Sequence, residues 1–170
     1  MNMKIFYGSA IQGSEDRKLR AQVNEFIIDI MKKMGHSVVT EHTTGKTYNE
    51  SIQKLEKAIG KLPPKGMQRR IYVRDSMINA IEGDIDTAVF EVSTPSLGTG
   101  IEIAHAYLRP RMNLPTIPLL ALYQTDYWPN KLSTMIQGIS KDTIPHFQLK
   151  EYKDLTEIEE FLKEFFTEYV

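Results

Sequence analysis

The 170-residue chain predicts one doubly wound α/β domain, with five parallel strands in the order 2-1-3-4-5 and helices on both faces. Three observations carry that expectation. Short apolar runs alternate with stretches of helical periodicity along the whole chain, the pattern of repeated βαβ units. The first such unit, strand, helix and strand, closes within about forty residues, as a parallel crossover does. Residues 85–92, Ile-Asp-Thr-Ala-Val-Phe-Glu-Val, have the near-continuous apolar character of a strand buried on both faces. Together these describe a single flavodoxin- or Rossmann-like domain over residues 1–170.

Met3–Gly8 reads as the first strand, and Gly8–Ser14 as the loop that leaves it. Asp16–Met34 is an amphipathic helix: Leu19, Val23, Phe26, Ile27, Ile30 and Met34 share a face, and Gly35 follows as a C-cap. Ser37–Glu41 is the second strand. Asn49–Ile59 has helical spacing through Ile52, Leu55 and Ile59. Leu62–Gly66, with two prolines and a glycine, breaks the chain. A helix over Gln68–Ile81 turns Ile71, Met77, Ile78 and Ile81 inward and ends at Gly83, before the central strand Ile85–Val92. After the loop Ser93–Gly100, Ile101–Leu108 is a breaker-free helix. Pro115 and Pro118 flank the entry to a fourth strand, Ile117–Tyr123. A turn at 127–130 leads to a short helix, Lys131–Ile139. Phe147–Lys150 is the fifth strand. A closing helix, opened by Asp154 or Thr156, carries the core stripe Leu155, Ile158, Phe161, Leu162 and Phe165.

Composition narrows the function. A net charge of -1 leaves no basic footprint for nucleic acid. Absence of cysteine removes disulfides, thiolate chemistry and Cys-ligated metal. No apolar stretch approaches the ~20 residues of a membrane span. The chain opens directly into a strand, so a soluble cytoplasmic protein is expected. Gly8 and Gly13 have P-loop separation, but Ser14 and Glu15 stand where a lysine and a magnesium-binding hydroxyl are required. Gly98-x-Gly100 lacks the third glycine of a dinucleotide fingerprint, since Ile103 stands there, and Glu102-x-x-His105 has no second copy to complete a metal site. Neither cofactor nor metal is expected.

In the order 2-1-3-4-5 the chain reverses between strands one and three, and ligands bind at the strands' carboxyl ends there. The loops at that point are Gly8–Ser14 and Ser93–Gly100, and His42, after the second strand, could edge the same crevice or equally be an ordinary loop histidine. The second loop is built of small hydroxyl residues and glycine and precedes a helix start, where free N–H groups and the helix dipole favour an anion. Glu102 falls in or beside the first helical turn, where its ionised form is expected to be favoured. A carboxylate beside a phosphate-sized cradle makes the crevice a candidate reaction site, and Asp75 and Glu91 are candidate second acids for it. Glu91 could equally tie down the adjacent loop, and Asp75 could be a solvated helix acid.

The segments Ile5-Phe6-Tyr7-Gly8-Ser9, Val39-Thr40-Glu41-His42, Glu91–Glu102, Leu132–Gly138, Phe147-Gln148-Leu149 and Phe166–Tyr169 follow, in order, the pattern of a known family. The chain resembles the nucleoside 2-deoxyribosyltransferase superfamily, most closely its 2'-deoxynucleoside 5'-phosphate N-hydrolase branch. The resemblance implies that Glu102 attacks the anomeric carbon to give a covalent glycosyl-enzyme, with Asp75 assisting the departing base. It implies that Gly8, Ser9, Ser96 and Gly98 border the substrate, the serines and Gly98 at the 5'-phosphate. It also implies a homodimer in which Ser133 reaches the neighbouring subunit's phosphate. The substrate would be a small-molecule nucleotide or nucleoside. Two positions depart from the branch: Ile11 stands where an arginine is usual, and Ile5 where a tyrosine lies near the sugar. Arg17, Lys18 or the segment Thr43–Arg70 would have to supply the missing charge. Base exchange by the same residues, and nucleotide binding without turnover, are the alternatives.

Overall fold

The computed structural model describes residues 2–10, 17–127, 131–139 and 144–169. Ile11, Gly13, Ser14, Glu15, Asp16 and Trp128, which the sequence singled out, lie outside these residues. One all-parallel sheet runs β2-β1-β3-β4-β5, with β1 Lys4–Ser9, β2 Ser37–Val38, β3 Thr87–Glu91, β4 Leu119–Gln124 and β5 Phe147–Tyr152. The predicted order is the observed one. β1 therefore lies between β2 and β3, and the switch point falls at its carboxyl end, where Gly8 and Ser9 pair with Phe90 and Glu91.

Helices cover both faces because β1, β3 and β4 are apolar on both. On one side α1 (Arg17–Lys33) and α6 (Leu155–Tyr169) pack Ile27, Met31, Leu162 and Phe165 over Ile5, Tyr7 and Leu120. On the other, α3 (Met67–Glu82) and α4 (Leu97–Tyr107) bring Ile81 and Ile103 onto Phe6, Phe90 and Ala121. The helix α2 (Tyr48–Ile59) leans on α3 through Leu55 and Met77. Gly35, at φ 89°, ends α1 as predicted: its N–H bonds to the Lys32 carbonyl, and that of His36 to Met31. His36 accepts the Met3 N–H and packs against the Phe166 ring.

Several expectations are corrected. β2 is two residues long rather than five. Beyond it the Thr40 hydroxyl takes over the ladder, accepting from the Tyr7 N–H at 2.9 Å and donating to the Tyr7 carbonyl at 2.7 Å. Leu19, Ile71 and Leu155, assigned inward by spacing, are 41%, 51% and 43% exposed, because each lies at a helix end or flank that no neighbouring element covers. The helix after the central strand starts four residues early, at Leu97, with Ser96 accepting the Thr99 N–H as its cap. Glu102 consequently sits in the second turn, beyond the reach of the helix-end dipole. The helix α5 covers only Thr134–Gln137. No helix among the described residues is long and apolar enough to cross a membrane.

Candidate active site

A cavity of about 710 Å³ opens at the carboxyl end of β1, a volume suited to a small organic ligand. Of the residues singled out from sequence, Gly8, Ser9, His42, Ser96, Gly98 and Glu102 line it. Tyr7 lines it too, with its hydroxyl donating to Asn24 Oδ1 at 2.7 Å. Ile5 and the Tyr7 ring both belong to the fully buried core.

Glu102 is held against the backbone of β1. A Cβ at Gly8 would lie 2.8 Å from Glu102 Oε2 and 2.7 Å from the Phe90 ring, so the carboxylate reaches this spot only because position 8 has no side chain. Desolvation there raises the Glu102 pKa from 4.5 to about 7. The expectation of a favoured carboxylate is reversed: burial dominates once the helix start has moved a turn away. His42, also buried, is lowered to about 4 by desolvation and is neutral at pH 7.

The cavity's charge was not legible as a motif. Arg17, Lys65, Arg69, Arg70 and Arg74 line it, against a single acid among its described residues, Glu102. In a protein of net charge -1 that concentration selects for an anionic ligand. Arg17 and, from the Thr43–Arg70 segment, Lys65, Arg69 and Arg70 line the cavity, whereas Lys18 is exposed outside it. The lining residues of α3 lie at positions 69, 70, 73, 74, 77 and 78, one helical face, with Gly66 just before its start. Its start is cationic and its end, with Val73, Met77 and Ile78, apolar. α2 adds Tyr48, Ile52 and Leu55 to that apolar wall.

Three proposed site residues stand outside the cavity. Asp75 is on α3, half-exposed and paired with Arg74 at 2.6 Å. Ser133 is exposed and caps α5, accepting the Met135 N–H. Glu91 is 1% exposed, at the end of β3 just before the Ser93–Ser96 loop. Its Oε1 accepts from Arg20 at 3.4 Å, from the Tyr152 hydroxyl at 3.0 Å, and from the Ser93 N–H and hydroxyl. Ser93 Oγ also accepts the Gln124 N–H, and Arg20 stacks 4.3 Å from the Tyr127 ring. Periodicity had hidden Arg20 among the apolar positions of α1. This network ties the ends of β3, β4 and β5 to α1 and fixes the loop that carries Ser96. Glu91→Ala leaves the Arg20 charge buried and unpaired, and is expected to cost about 3–5 kcal/mol in urea unfolding. His105 pairs with Glu82 at 2.6 Å.

No family model matches the chain. A protein of Thermofilum pendens named "Putative 2'-deoxynucleoside 5'-phosphate N-hydrolase 1" is 32% identical over 155 residues, covering 91% of this chain and 89% of its own. A Nematostella vectensis protein of the same name is 30% identical over 165 residues, covering 96% and 94%. The "5-hydroxymethyl-dUMP N-hydrolase" of Danio rerio is 28% identical over 164 residues, 96% of each chain.

Proposed function

The chain belongs to the 2'-deoxynucleoside 5'-phosphate N-hydrolase family, and on that premise we propose that it cleaves the base–sugar bond of a 2'-deoxynucleoside 5'-monophosphate through a glycosyl ester on Glu102. It is an N-glycosyl hydrolase. The observation that carries the mechanism is Glu102 itself, a desolvated carboxylate against Gly8, in a cavity otherwise lined by cations and apolar side chains.

In the first step a Glu102 oxygen bonds to the anomeric carbon as the carbon–nitrogen bond breaks. The electron pair leaves with the base, which takes a proton from Asp75. In the second, water attacks the same carbon, the ester bond returns its electrons to Glu102, and Asp75 recovers a proton from the water. Asp75 lies on the side of α3 away from the cavity-lining positions, so this step requires α3 to turn as well as the side chain. Asp75→Asn is expected to lower kcat by about 10²–10⁴ in a base-release assay. Ser9, Ser96 and Gly98 hold the 5'-phosphate at the start of α4, within the field of the lining cations.

The active species in this reading is a homodimer, with Ser133 completing the partner's phosphate site. Leu97, Ile101 and Met135 support it: they are 91%, 52% and 80% exposed, on α4 beside the cavity and on α5 beside Ser133. Sedimentation should give a dimer, and Leu97→Asp with Met135→Asp a monomer of much reduced activity.

Release of free base from a panel of nucleosides and 5'-monophosphates, ribo and deoxy, tests the function. Release from deoxynucleoside monophosphates alone is the expected result. Exchange of a labelled free base in place of hydrolysis would move the protein to the transferases.

A further inference from the structure

Seven buried side-chain polar atoms lack a hydrogen-bond partner among the described residues, and four of them lie on one cavity: Ser9 Oγ, Arg17 Nη1, His42 Nδ1 and Thr43 Oγ1. Ser9, His42 and Thr43 are only 7%, 7% and 5% exposed. Folded proteins rarely leave such atoms unpaired, so several on one wall mark a place that a ligand completes.

The sheet order says which end of the ligand this is. His42 and Thr43 follow β2, Ser96 and Gly98 follow β3, and β1 runs between them with Gly8 against Glu102. Arg17, at the first turn of α1, borders a small cleft beside Thr43, on the β2 side. In the proposed reaction the anomeric carbon sits at Glu102. A sugar carries its base and its 5'-phosphate at opposite ends of the ring. With the phosphate on the β3 side at the start of α4, the base points to the β2 side.

We infer that Arg17, His42 and Thr43 form the base-reading corner of the site, and that it selects a base presenting an oxo group to Arg17. A guanidinium only donates, so the atom it meets must be an acceptor; a hydroxyl and a neutral imidazole can donate or accept and do not override that demand. A carbonyl oxygen meets it, and an exocyclic amino group does not. The apolar wall from α2 and α3 then covers the ring.

This rests on the proposed hydrolysis, and the experiment separates the two. The 5'-monophosphates of 2'-deoxyinosine and 2'-deoxyadenosine differ at the purine 6-position, oxo against amino. Their binding to the Glu102→Gln variant, by calorimetry, needs no turnover. We expect the oxo nucleotide to bind at least about tenfold tighter, as loss of one buried hydrogen bond implies. Arg17→Gln in the same background should bring the ratio within about threefold, and Arg17→Lys should restore it, separating a lost donor from a folding defect. The corresponding nucleosides, without phosphate, should keep the ratio. Equal binding of the two nucleotides, binding of neither, or a ratio indifferent to Arg17→Gln overturns the inference. So does an Arg17→Gln variant that weakens both equally and erases the preference for phosphorylated ligands, since Arg17 would then be a phosphate contact. Selective binding without base release by the wild type would instead sink the hydrolysis and leave the base-reading corner standing.

Discussion

Glu102→Gln is expected to abolish base release, by at least about 10³-fold in kcat/KM, while making the folded protein more stable at neutral and alkaline pH. Both effects come from one observation. Burial raises the Glu102 pKa from 4.5 to about 7, so the folded chain holds that proton more tightly than the unfolded chain. Stability from this group is complete below pH 4.5, falls as pH rises between 4.5 and about 7, and stays low above. A neutral glutamine of similar shape escapes that loss, which amounts to about 3 kcal/mol at pH 8 and vanishes near pH 4. Urea unfolding of wild type and variant at the two pH values measures it. His42 acts at the opposite end. With a folded pKa lowered from 6.5 to about 4, it withdraws stability as pH falls below 6.5. Between pH 4.5 and 6.5 the two losses run in opposite directions and largely offset, and Glu102→Gln, which removes the first, should leave a fold that gains stability up to about pH 6.5 and holds it above.

The same shift fixes the direction of the pH–rate profile. A nucleophile must be ionised, so the limb that Glu102 contributes to kcat/KM should rise with pH toward about 7. A carboxyl acting instead as proton donor would give the mirror image, with activity lost as pH rises through 7. A rate that falls across that interval would take Glu102 out of the nucleophile's role and leave its burial to be explained by acid catalysis.

Much of this was legible because the chain is punctuated where physics requires it. The apolar run at 85–92 and the small residues after it locate the central strand and its loop. The alternation of strands and helices gives the order 2-1-3-4-5 and therefore the crevice. What misled was local. Two glycines in Leu97-Gly98-Thr99-Gly100 read as loop, yet Ser96 caps a helix that runs straight through them, and this one-turn change reversed the expected ionisation of Glu102. What stayed hidden was tertiary. Arg20 occupies an apolar position of α1 and is held by the Glu91 carboxylate and the Tyr152 hydroxyl, 71 and 132 positions away, which no window of periodicity can see. The five cations of the cavity come from α1, α3 and the turn before α3, so they form a field only after folding. Ser9, Ser96 and Glu102 carry local signals; the cationic wall and the apolar wall opposite them do not.

Gly8→Ala should reduce kcat by about 10²-fold and lower stability by about 1–3 kcal/mol. The added methyl would stand 2.7 and 2.9 Å from two atoms of the Phe90 ring and 2.8 Å from Glu102 Oε2, closer than any real contact allows. Phe90 is fully buried and packed beside Phe6, their ring centroids 6.0 Å apart, so it cannot retreat without opening the core. The carboxylate, at the end of a flexible side chain facing a cavity, is the part that yields. A displacement of an ångström from the anomeric carbon is enough to forfeit most of the benefit of positioning. Gly100→Ala provides the comparison: it lies in α4, nothing is within 4 Å of its added Cβ, and it does not line the cavity. That substitution should leave kcat intact and raise stability by about 0.5–1 kcal/mol through helix propensity. If Gly8→Ala lost stability yet kept full kcat, the contact between Gly8 and Glu102 would be packing alone, and the positioning of the carboxylate by β1 would have to be abandoned.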